Sequence, residues 1–585
     1  MKVFGFIRPY RREALISLAL LGLMAVLDLA IPRLIQRIID QGIARGDEPL
    51  VVQTALLMLG ISALSTLTAI GNNRYSVRTG EGVARDLREA LFLKIQSFAF
   101  ADLDRRQTGQ LLVRLTSDIA AIKSLVQISL RIGTRAPLMI AGSMILMIAT
   151  SPQLALALLP VLLVTLGLIA FFIVKTEPLF RTVQSKLDVL NGVLQENIAG
   201  VRLVKALVRG AYEVTRFARA NAEMTDRSVA VMRFMSAMMP ALSLCLNFGM
   251  VVVIWSGGLS TIRGELTLGQ IVAFGNYLLS TMSPLMMMSL LANTWASGLA
   301  SADRVQEVLD VVPEVQDAPN ARALPEGAAV RVELADVGFA YGADLEPVLR
   351  EIALQAEPGQ TIAILGATGS GKSTLVALIP RFYDVTSGSV CVAGEDVREL
   401  SQASLLSKIG VVPQESLLFS GTVRENISYG RPSASDAEVQ AAAQAAQAHE
   451  FIEKLPGGYA SRIAPRGSNL SGGQRQRLAI ARALLLDPEV LILDDSTSAV
   501  DVETETKIQD ALAQHASQRI TFVVAQRIST VLRADQIIVL ERGRIVARGT
   551  HAELMQTSAI YKEIYASQLG EGILESVRSS VEVAQ

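Results

Sequence analysis

The chain has 585 residues, 50% of them hydrophobic and 19% charged, with a mean hydropathy of +0.39. That is too apolar for an ordinary soluble protein and too charged for one lying wholly in a bilayer, so two unlike halves are being averaged. A net charge of −1 removes the electrostatic case for nucleic-acid binding, and two cysteines, Cys245 and Cys391, are too few for a disulfide framework or a cysteine-rich metal site.

Six apolar stretches are predicted as membrane spans, at roughly 14–37, 51–72, 133–151, 153–175, 236–262 and 269–298. Each is long enough to cross a hydrocarbon core needing about 20 residues. The first run lacks a small-residue cleavage site and is long enough to stay in the bilayer, so a cleavable signal is not expected. Short loops (QGIARGDEP, SPQ, RGELTLG) join the spans in pairs. About 60 polar, helix-patterned residues separate span 2 from 3, and again 4 from 5. These long segments carry Arg78, Arg85, Arg88, Lys94, Arg105, Arg106, Lys186, Arg202, Lys205 and Arg209, and Lys2, Arg8, Arg11 and Arg12 precede span 1. By the positive-inside rule the N-terminus and both segments are cytoplasmic.

Asp28 falls inside span 1, and an intramembrane carboxylate is a candidate for a functional site. A place near the outer interface, or pairing with Arg33, accounts for it equally well. Nine of the 17 methionines fall between Met232 and Met288, among them Met286 and Met287. Flexible, polarizable side chains suit a surface that accepts many apolar ligands, although packing between helices or against lipid explains the cluster more readily. Asn247 and Asn276 are weaker candidates.

The membrane domain is set at 1–310. The stretch 311–330 is read as a linker from its Pro, Ala and acidic content, and 566–585 as a tail without a functional reading. Between them, 331–565 alternates strand and helix patterns, as an α/β nucleotide-binding domain does. GATGSGKST (366–374) fits the phosphate-loop pattern, follows the strand-like TIAIL and precedes a helical run. Gly366, Thr368, Gly369, Ser370, Gly371 and Thr374 form a loop whose backbone N–H groups close on phosphates. Lys372 pairs with phosphate oxygens, Ser373 offers a hydroxyl to Mg²⁺, and the helix N-terminus adds a favourable dipole. Asp494 ends the apolar run VLIL, at the sheet edge where ligands of α/β folds sit, and supplies the Mg²⁺-side carboxylate. LSGGQRQR (470–477) sets Ser471, Gly472, Gly473 and Gln474 at a second helix start suited to phosphate. Two such helix starts make sense if two domains face each other and each ATP lies between one chain's phosphate loop and the other's LSGGQ.

Six spans followed by the phosphate loop, LSGGQ and a double-carboxylate strand resemble an ATP-binding cassette (ABC) exporter half-transporter over nearly the whole chain. The resemblance implies an all-α six-helix membrane domain followed by an α/β P-loop cassette, with ATP and Mg²⁺ as ligands and a bacterial inner membrane as location. It also implies cytoplasmic cassettes and outward transport of hydrophobic or amphipathic small molecules, lipids or peptides. Tyr341 matches the aromatic that stacks on adenine, Gln414 the residue that senses Mg²⁺ and the membrane domain, and Asp501 the loop that crosses to a partner. FADLDRRQTGQLLVRLTSD (100–118) and LQENIAGVRLVKALVRG (194–210) resemble the two coupling regions.

Three positions depart from the family pattern. Asp495 stands where the general-base glutamate belongs, with its carboxylate one methylene further back. A base must come within about 2.6–3.2 Å of the water it activates, so that methylene matters. Gln526 stands where the switch histidine belongs and can hydrogen-bond a phosphate but cannot ionise as imidazole does. Pro465 takes a usually acidic position ahead of LSGGQ. Together, Asp495 and Gln526 point to a site that binds ATP and hydrolyses it poorly. The intact LSGGQ then completes a competent site with a second, non-identical half-transporter. The pattern resembles the degenerate-site subunit of a heterodimeric bacterial multidrug-type exporter. A catalytically active homodimer and a nucleotide-gated regulatory membrane protein are the alternatives.

Overall fold

The structure, a computed structural model, describes residues 2–325, 327, 329–342, 344–514, 519–525 and 527–569. Within these, the side chains of residues 2, 282, 283, 285–290, 292, 293, 514, 529 and 569 lie outside the description. The chain forms two compact units, Met1–Gln96 with Thr108–Val311, and Ser97–Gln107 with Val312–Gln585.

The first unit is built of long helical rods: Val3–Arg45 (α1), Glu48–Gln96 (α2), Thr108–Thr150 (α3), Pro152–Ala199 (α4), Gly210–Ile262 (α5) and Leu268–Leu309 (α6). Among the described residues, the first five are long and apolar enough to cross a membrane. At 49 residues α2 extends roughly 74 Å, more than twice a bilayer's hydrocarbon thickness, so the predicted spans are the apolar parts of longer helices.

The polarity of this unit is inverted relative to a soluble bundle. Leu156, Leu163, Val174 and Trp255 are exposed, while Ser17, Asn72, Ser76, Thr79, Ser143 and Thr281 are buried. Polar groups lost to lipid must bond one another, and they do so between rods. Asn72 on α2 donates to the Ser17 carbonyl of α1 (2.8 Å) and to the Leu130 carbonyl of α3 (3.2 Å), and Ser143 on α3 meets Thr281 on α6 at 2.7 Å. Rod α3 is interrupted by two π-helical turns, Arg114–Asp118 and Ser129–Gly133. Each such turn holds an extra residue and so rotates the helix face that follows. At the first, buried Asp118 accepts from Ser301 (2.9 Å) and pairs with Arg304 of α6 and Arg114. Asp40 closes the other end of the bundle by accepting from Thr267 and from the Gly269 N–H at the start of α6 (2.6 and 2.9 Å).

The second unit holds two main sheets. An antiparallel sheet joins Val332–Phe339 (β1), Leu349–Ala356 (β2), Ser387–Val392 (β4) and Glu395–Asp396 (β5) in the order β2-β1-β4-β5. The second sheet contains Thr361–Leu365 (β3), Ile409–Val412 (β6), Val490–Asp494 (β9), Ile520–Val524 (β10), Gln536–Glu541 (β11) and Arg544–Gly549 (β12). Its order is β12-β11-β3-β10-β9-β6, parallel except at β12. Gly421–Thr422 (β7) and Arg462–Ile463 (β8) form a separate pair. Strands β3, β9 and β10 are buried along nearly their whole length, as continuous apolar runs in a parallel sheet covered on both faces must be. The sheet thereby brings the carboxyl ends of three strands, distant in sequence, to one edge.

The stretch 311–330 does not hang free. Arg322 exchanges backbone bonds with Glu399 and Ser401, the Leu324 N–H donates to Ser404 (2.8 Å), and Val315, Leu324 and Val330 are buried in the second unit. Ser97–Gln107, the connection between α2 and α3, also belongs to this unit. There Phe100 stacks on Phe382 with centroids 4.0 Å apart, and Tyr383 donates to Asp104. Residues Ala559–Leu569 are helical, so the segment expected as a tail begins inside a helix.

Candidate functional site

At the end of β3 the chain turns into the loop 366–371 and then the helix Lys372–Leu378 (α7). Only glycine can open this turn. Gly366 has φ 153°, and a Cβ there would lie 2.2 Å from the Leu540 carbonyl oxygen. Gly371, at φ 101°, caps α7. With the loop so shaped, Lys372 donates to the carbonyls of Gly366 and Ala367, both at 2.9 Å. Ser373 donates to Asp494 at the end of β9 (2.9 Å), which joins the two strand ends directly. Ser370 is 5% exposed and its hydroxyl has no hydrogen-bond partner, a polar group aimed into the loop with nothing to bind. Thr368 and Gly369 are exposed at the tip. Thr374 is buried and its hydroxyl meets the Tyr341 hydroxyl at 2.9 Å. The half-exposed Tyr341 ring stands edge-on to Phe339 and Tyr383, which leaves the rest of its surface open to a stacking partner.

Burial dominates the electrostatics. It pushes the Asp494 carboxyl above the usual range, opposed by the Ser373 hydrogen bond and the Lys372 charge. Asp495 is also pushed up, by burial and then by the charge of Asp494 beside it, while burial pushes Lys372 down. Two adjacent, partly desolvated carboxylates call for a cation. Among the described residues no cluster of three or more His, Cys, Asp or Glu forms an all-protein metal cage. One hydroxyl and one carboxylate at 2.9 Å suit Mg²⁺, which takes one or two protein oxygens and fills its octahedron with phosphates and water. The donor set therefore fits a magnesium-bound triphosphate, with Ser373 and Asp494 on the metal and Lys372 with the loop N–H groups on phosphate.

Asp495 is the first residue past β9 and adopts φ 48°, a left-handed conformation that a non-glycine residue holds only when its surroundings enforce it. Its N–H donates to the Val524 carbonyl (3.1 Å), and the exposed Gln414 approaches its carboxylate at 3.5 Å, the limit of a hydrogen bond. The turn after it is clamped from two sides by residues that the motif reading missed. Gln476, buried in the helix Gly472–Leu485 (α8), donates to Ser498 (3.1 Å) and accepts from the Ala499 N–H (2.9 Å). Ser498 in turn donates to the Asp495 carbonyl (3.0 Å). Arg527 donates to the carbonyls of Ser498 and Val500, both at 3.2 Å, and to Glu505 at 3.3 Å. Glu505, buried in the helix Val502–Gln514 (α9), also accepts from Thr497 (2.8 Å) and Thr530 (2.6 Å). Thr497, Ser498, Glu505, Arg527 and Thr530 line a cavity of about 420 Å³ that Asp495 and Gln568 also face. The sequence signal for this clamp is weak, since Gln476 lies within LSGGQRQR and Arg527 directly follows Gln526 without a motif of their own.

Ser471 caps α8. Its hydroxyl accepts from the Gln474 N–H (3.3 Å), and the Ser471 N–H donates in return to the Gln474 side-chain oxygen (2.9 Å). Gly472 and Gly473 form the first turn, and a Cβ on Gly473 would sit 2.9 Å from the Ala499 carbonyl. Asp501 is exposed and caps α9 through the Thr504 N–H (2.9 Å). Pro465 opens a short 3₁₀ turn ahead of α8. Gln526 lies outside the described residues. The side chains of Met286 and Met287 do too, although their backbone is part of α6.

Asp28 is paired, but not with Arg33, which donates to Gln36 instead. Its two oxygens accept from Arg135 of α3 (2.9 Å) and Ser65 of α2 (2.8 Å). Helix geometry explains the correction, because Arg33 lies five residues along α1 and points away from Asp28, whereas Arg135 faces it from another rod.

A phosphate loop and a facing carboxylate on a parallel sheet, preceded by membrane-crossing rods, define a membrane protein driven by nucleoside triphosphate. The comparisons make this specific. Residues 14–285 match the ABC transporter transmembrane region and 349–498 the ABC transporter family. The chain is 39% identical over 575 residues to the Bacillus subtilis uncharacterized ABC transporter ATP-binding protein YfiB, covering 98% of this chain and 100% of that one. It is 36% identical over 492 residues to the ATP-dependent lipid A-core flippase of Syntrophus aciditrophicus, covering 84% and 81%. Among solved structures, a bacterial Atm1-family ABC exporter with ATP bound matches with a TM-score of 0.81 and 28% identity, over 96% of this chain and 99% of that one. The chain belongs to the ABC transporter family. It is an exporter half-transporter, an integral membrane protein whose helical transmembrane domain is fused to an α/β nucleotide-binding domain, and it acts as part of an ATP-dependent translocase.

Proposed function

We propose that this chain is the degenerate-site half of a heterodimeric exporter, located in the bacterial inner membrane with its N-terminus and nucleotide domain cytoplasmic. It holds one ATP firmly, splits it slowly, and uses Ser471–Gln474 (residues 471–474) to complete a competent site on a non-identical partner. The observation that carries this reading is the contrast at one sheet edge. The binding groups are in working order, with Lys372 held by the Gly366 carbonyl and Ser373 bonded to Asp494, both at 2.9 Å, whereas the base position holds only the short Asp495 carboxylate in a clamped left-handed turn.

Magnesium-bound ATP supplies the binding energy that drives closure of two nucleotide domains. When ATP and magnesium bind, Lys372 would hold phosphate oxygens in place of its loop carbonyls, Ser373 and Asp494 would hold the metal, and Tyr341 would offer its free face to adenine. Asp495, fixed by Ser498 and Arg527, cannot advance the distance its missing methylene would cover, and Gln526 can donate a hydrogen bond but not carry a proton. Gln414 and the segment 97–107 convey closure to the membrane helices. The substrate is a hydrophobic or amphipathic small molecule, lipid or peptide. The lipid A-core flippase among the relatives favours lipid-like chemistry.

Co-expression with a half-transporter that carries Glu and His at these two positions tests the proposal. The pair should show ATPase and vesicle transport well above either chain alone. A slow but working homodimer is the second reading, favoured by the fact that Asp495 is still a carboxylate whose affinity for protons is raised. Equal activity of this chain with and without the partner selects that reading.

A further inference from the structure

The first unit contains a cavity of about 400 Å³ between α1, α3 and α6. Two opposite charges line it, Asp28 and Arg135, 2.9 Å apart and 27% and 41% exposed. They lie deep in the bundle. From Asp40, tied to the start of α6, back to Asp28 the helix descends roughly 18 Å at 1.5 Å per residue. From the end of α3 at Thr150 back to Arg135 it descends roughly 22 Å. Both estimates place the pair within a hydrocarbon zone about 30 Å thick.

The arrangement around the pair is asymmetric. Ser65 donates to one oxygen of the Asp28 carboxylate and a single N–H group of Arg135 to the other, so the guanidinium keeps further donors while both charged residues line the cavity. The π turn Ser129–Gly133, just before Arg135, sets the face of α3 that carries it. Asn276 and Ser280, one turn apart on α6, add neutral polar groups, while Ile132, Met139 and Leu279 supply an apolar wall.

The charges of this lining sum to zero. A guest with a net charge, placed beside them at this depth, would leave that charge uncompensated in a low-dielectric region, which is costly. A guest carrying both signs would lay its cation against Asp28 and its anion against the open guanidinium and leave the sum at zero. We propose that this cavity is a substrate site for zwitterionic amphiphiles, with the apolar chain of the guest along Ile132, Met139 and Leu279. The inference rests on reading the chain as an exporter of amphipathic substrates, and it specifies their headgroup.

The test reads binding without nucleotide, so its outcome is independent of whether the ATP site is degenerate. The Trp295 ring lies beside Gly133, where a Cβ would meet it at 3.2 Å, two residues from Arg135, and so reports on the cavity. The full chain with Trp255→Phe, in uncharged dodecyl maltoside micelles, is titrated with dodecylphosphocholine, dodecyl phosphate and dodecyltrimethylammonium while Trp295 fluorescence is followed. The zwitterion should bind about tenfold tighter than either charged probe. Asp28→Asn should move the preference to the anion and Arg135→Gln to the cation, opposite shifts that a merely structural role would not produce. Phosphocholine without a chain separates the sources. Much weaker binding than the chained form assigns a lipid-type substrate, and equal binding assigns a soluble zwitterion to the same polar subsite. A charged probe that binds the unsubstituted cavity as tightly as the zwitterion overturns the proposal, and this comparison needs no variant to fold. So does an identical loss of all three probes in both variants with unchanged thermal melting.

Discussion

The phosphate loop at the end of β3 and the turn at the end of β9 flank the same strand, β10, yet they are held by different means. The loop is shaped by backbone, with glycines at φ 153° and 101° and carbonyls that hold Lys372 in reserve. The turn at Asp495 is shaped by side chains, because Gln476, Arg527 and Glu505 reach it from three other segments. Binding built on backbone survives side-chain drift elsewhere in the site. Hydrolysis depends on the reach of one carboxylate and one neighbour, and these are two of the three positions at which the sequence departs from the pattern it resembles. The degenerate-site proposal follows from that asymmetry.

The largest effect should come from restoring the altered side. Asp495→Glu with Gln526→His should raise hydrolysis at this chain's site by about 10²–10⁴, the range of a positioned general base, as measured by phosphate release from the purified assembly. If turnover does not change, the short carboxylate is not what limits the site. Weakening the clamp comes next. Glu505→Ala leaves the Thr497 and Thr530 hydroxyls without this acceptor and the Arg527 charge without its carboxylate, and should destabilise the nucleotide domain by about 2–3 kcal/mol, read as a lower melting temperature. On the intact side, Lys372→Ala should weaken ATP binding about tenfold to a hundredfold, as one or two charge-assisted hydrogen bonds would, in a labelled-nucleotide binding assay. The smallest effect is in pH dependence. Asp494 binds its proton more tightly in the folded protein than in the unfolded chain, so ligand-free stability should fall as pH rises from the ordinary carboxylate range through its raised value. Asp494→Asn should flatten that slope in a pH series of thermal melts.

The features legible in sequence were those encoded in consecutive residues. The phosphate loop, the LSGGQ helix start and the apolar spans each depend on local backbone chemistry or on a run of residues, and short motifs carry both. The clamp on Asp495 was not legible because it depends on β10 lying beside β9, which brings Arg527 to the turn, and on the placement of α8, which brings Gln476 there. The partner of Asp28 was hidden for the same reason. Arg135 follows it by 107 residues on another rod, so sequence proximity favoured Arg33. The 311–330 stretch has a linker's composition but folds onto the loop at 399–401 through backbone bonds, which composition does not reveal.

The central claim, that this chain's own site binds ATP and scarcely splits it, is tested most directly by the fate of one labelled nucleotide. ATP carrying a photoreactive adenine and a γ-phosphate label is crosslinked at Tyr341 in membranes, and the bound species is analysed after incubation at working temperature. The account predicts that the label is recovered as triphosphate over many turnovers of the partner's site. Loss of the γ label from the crosslinked nucleotide as free phosphate, leaving diphosphate, at the rate of overall turnover would contradict it.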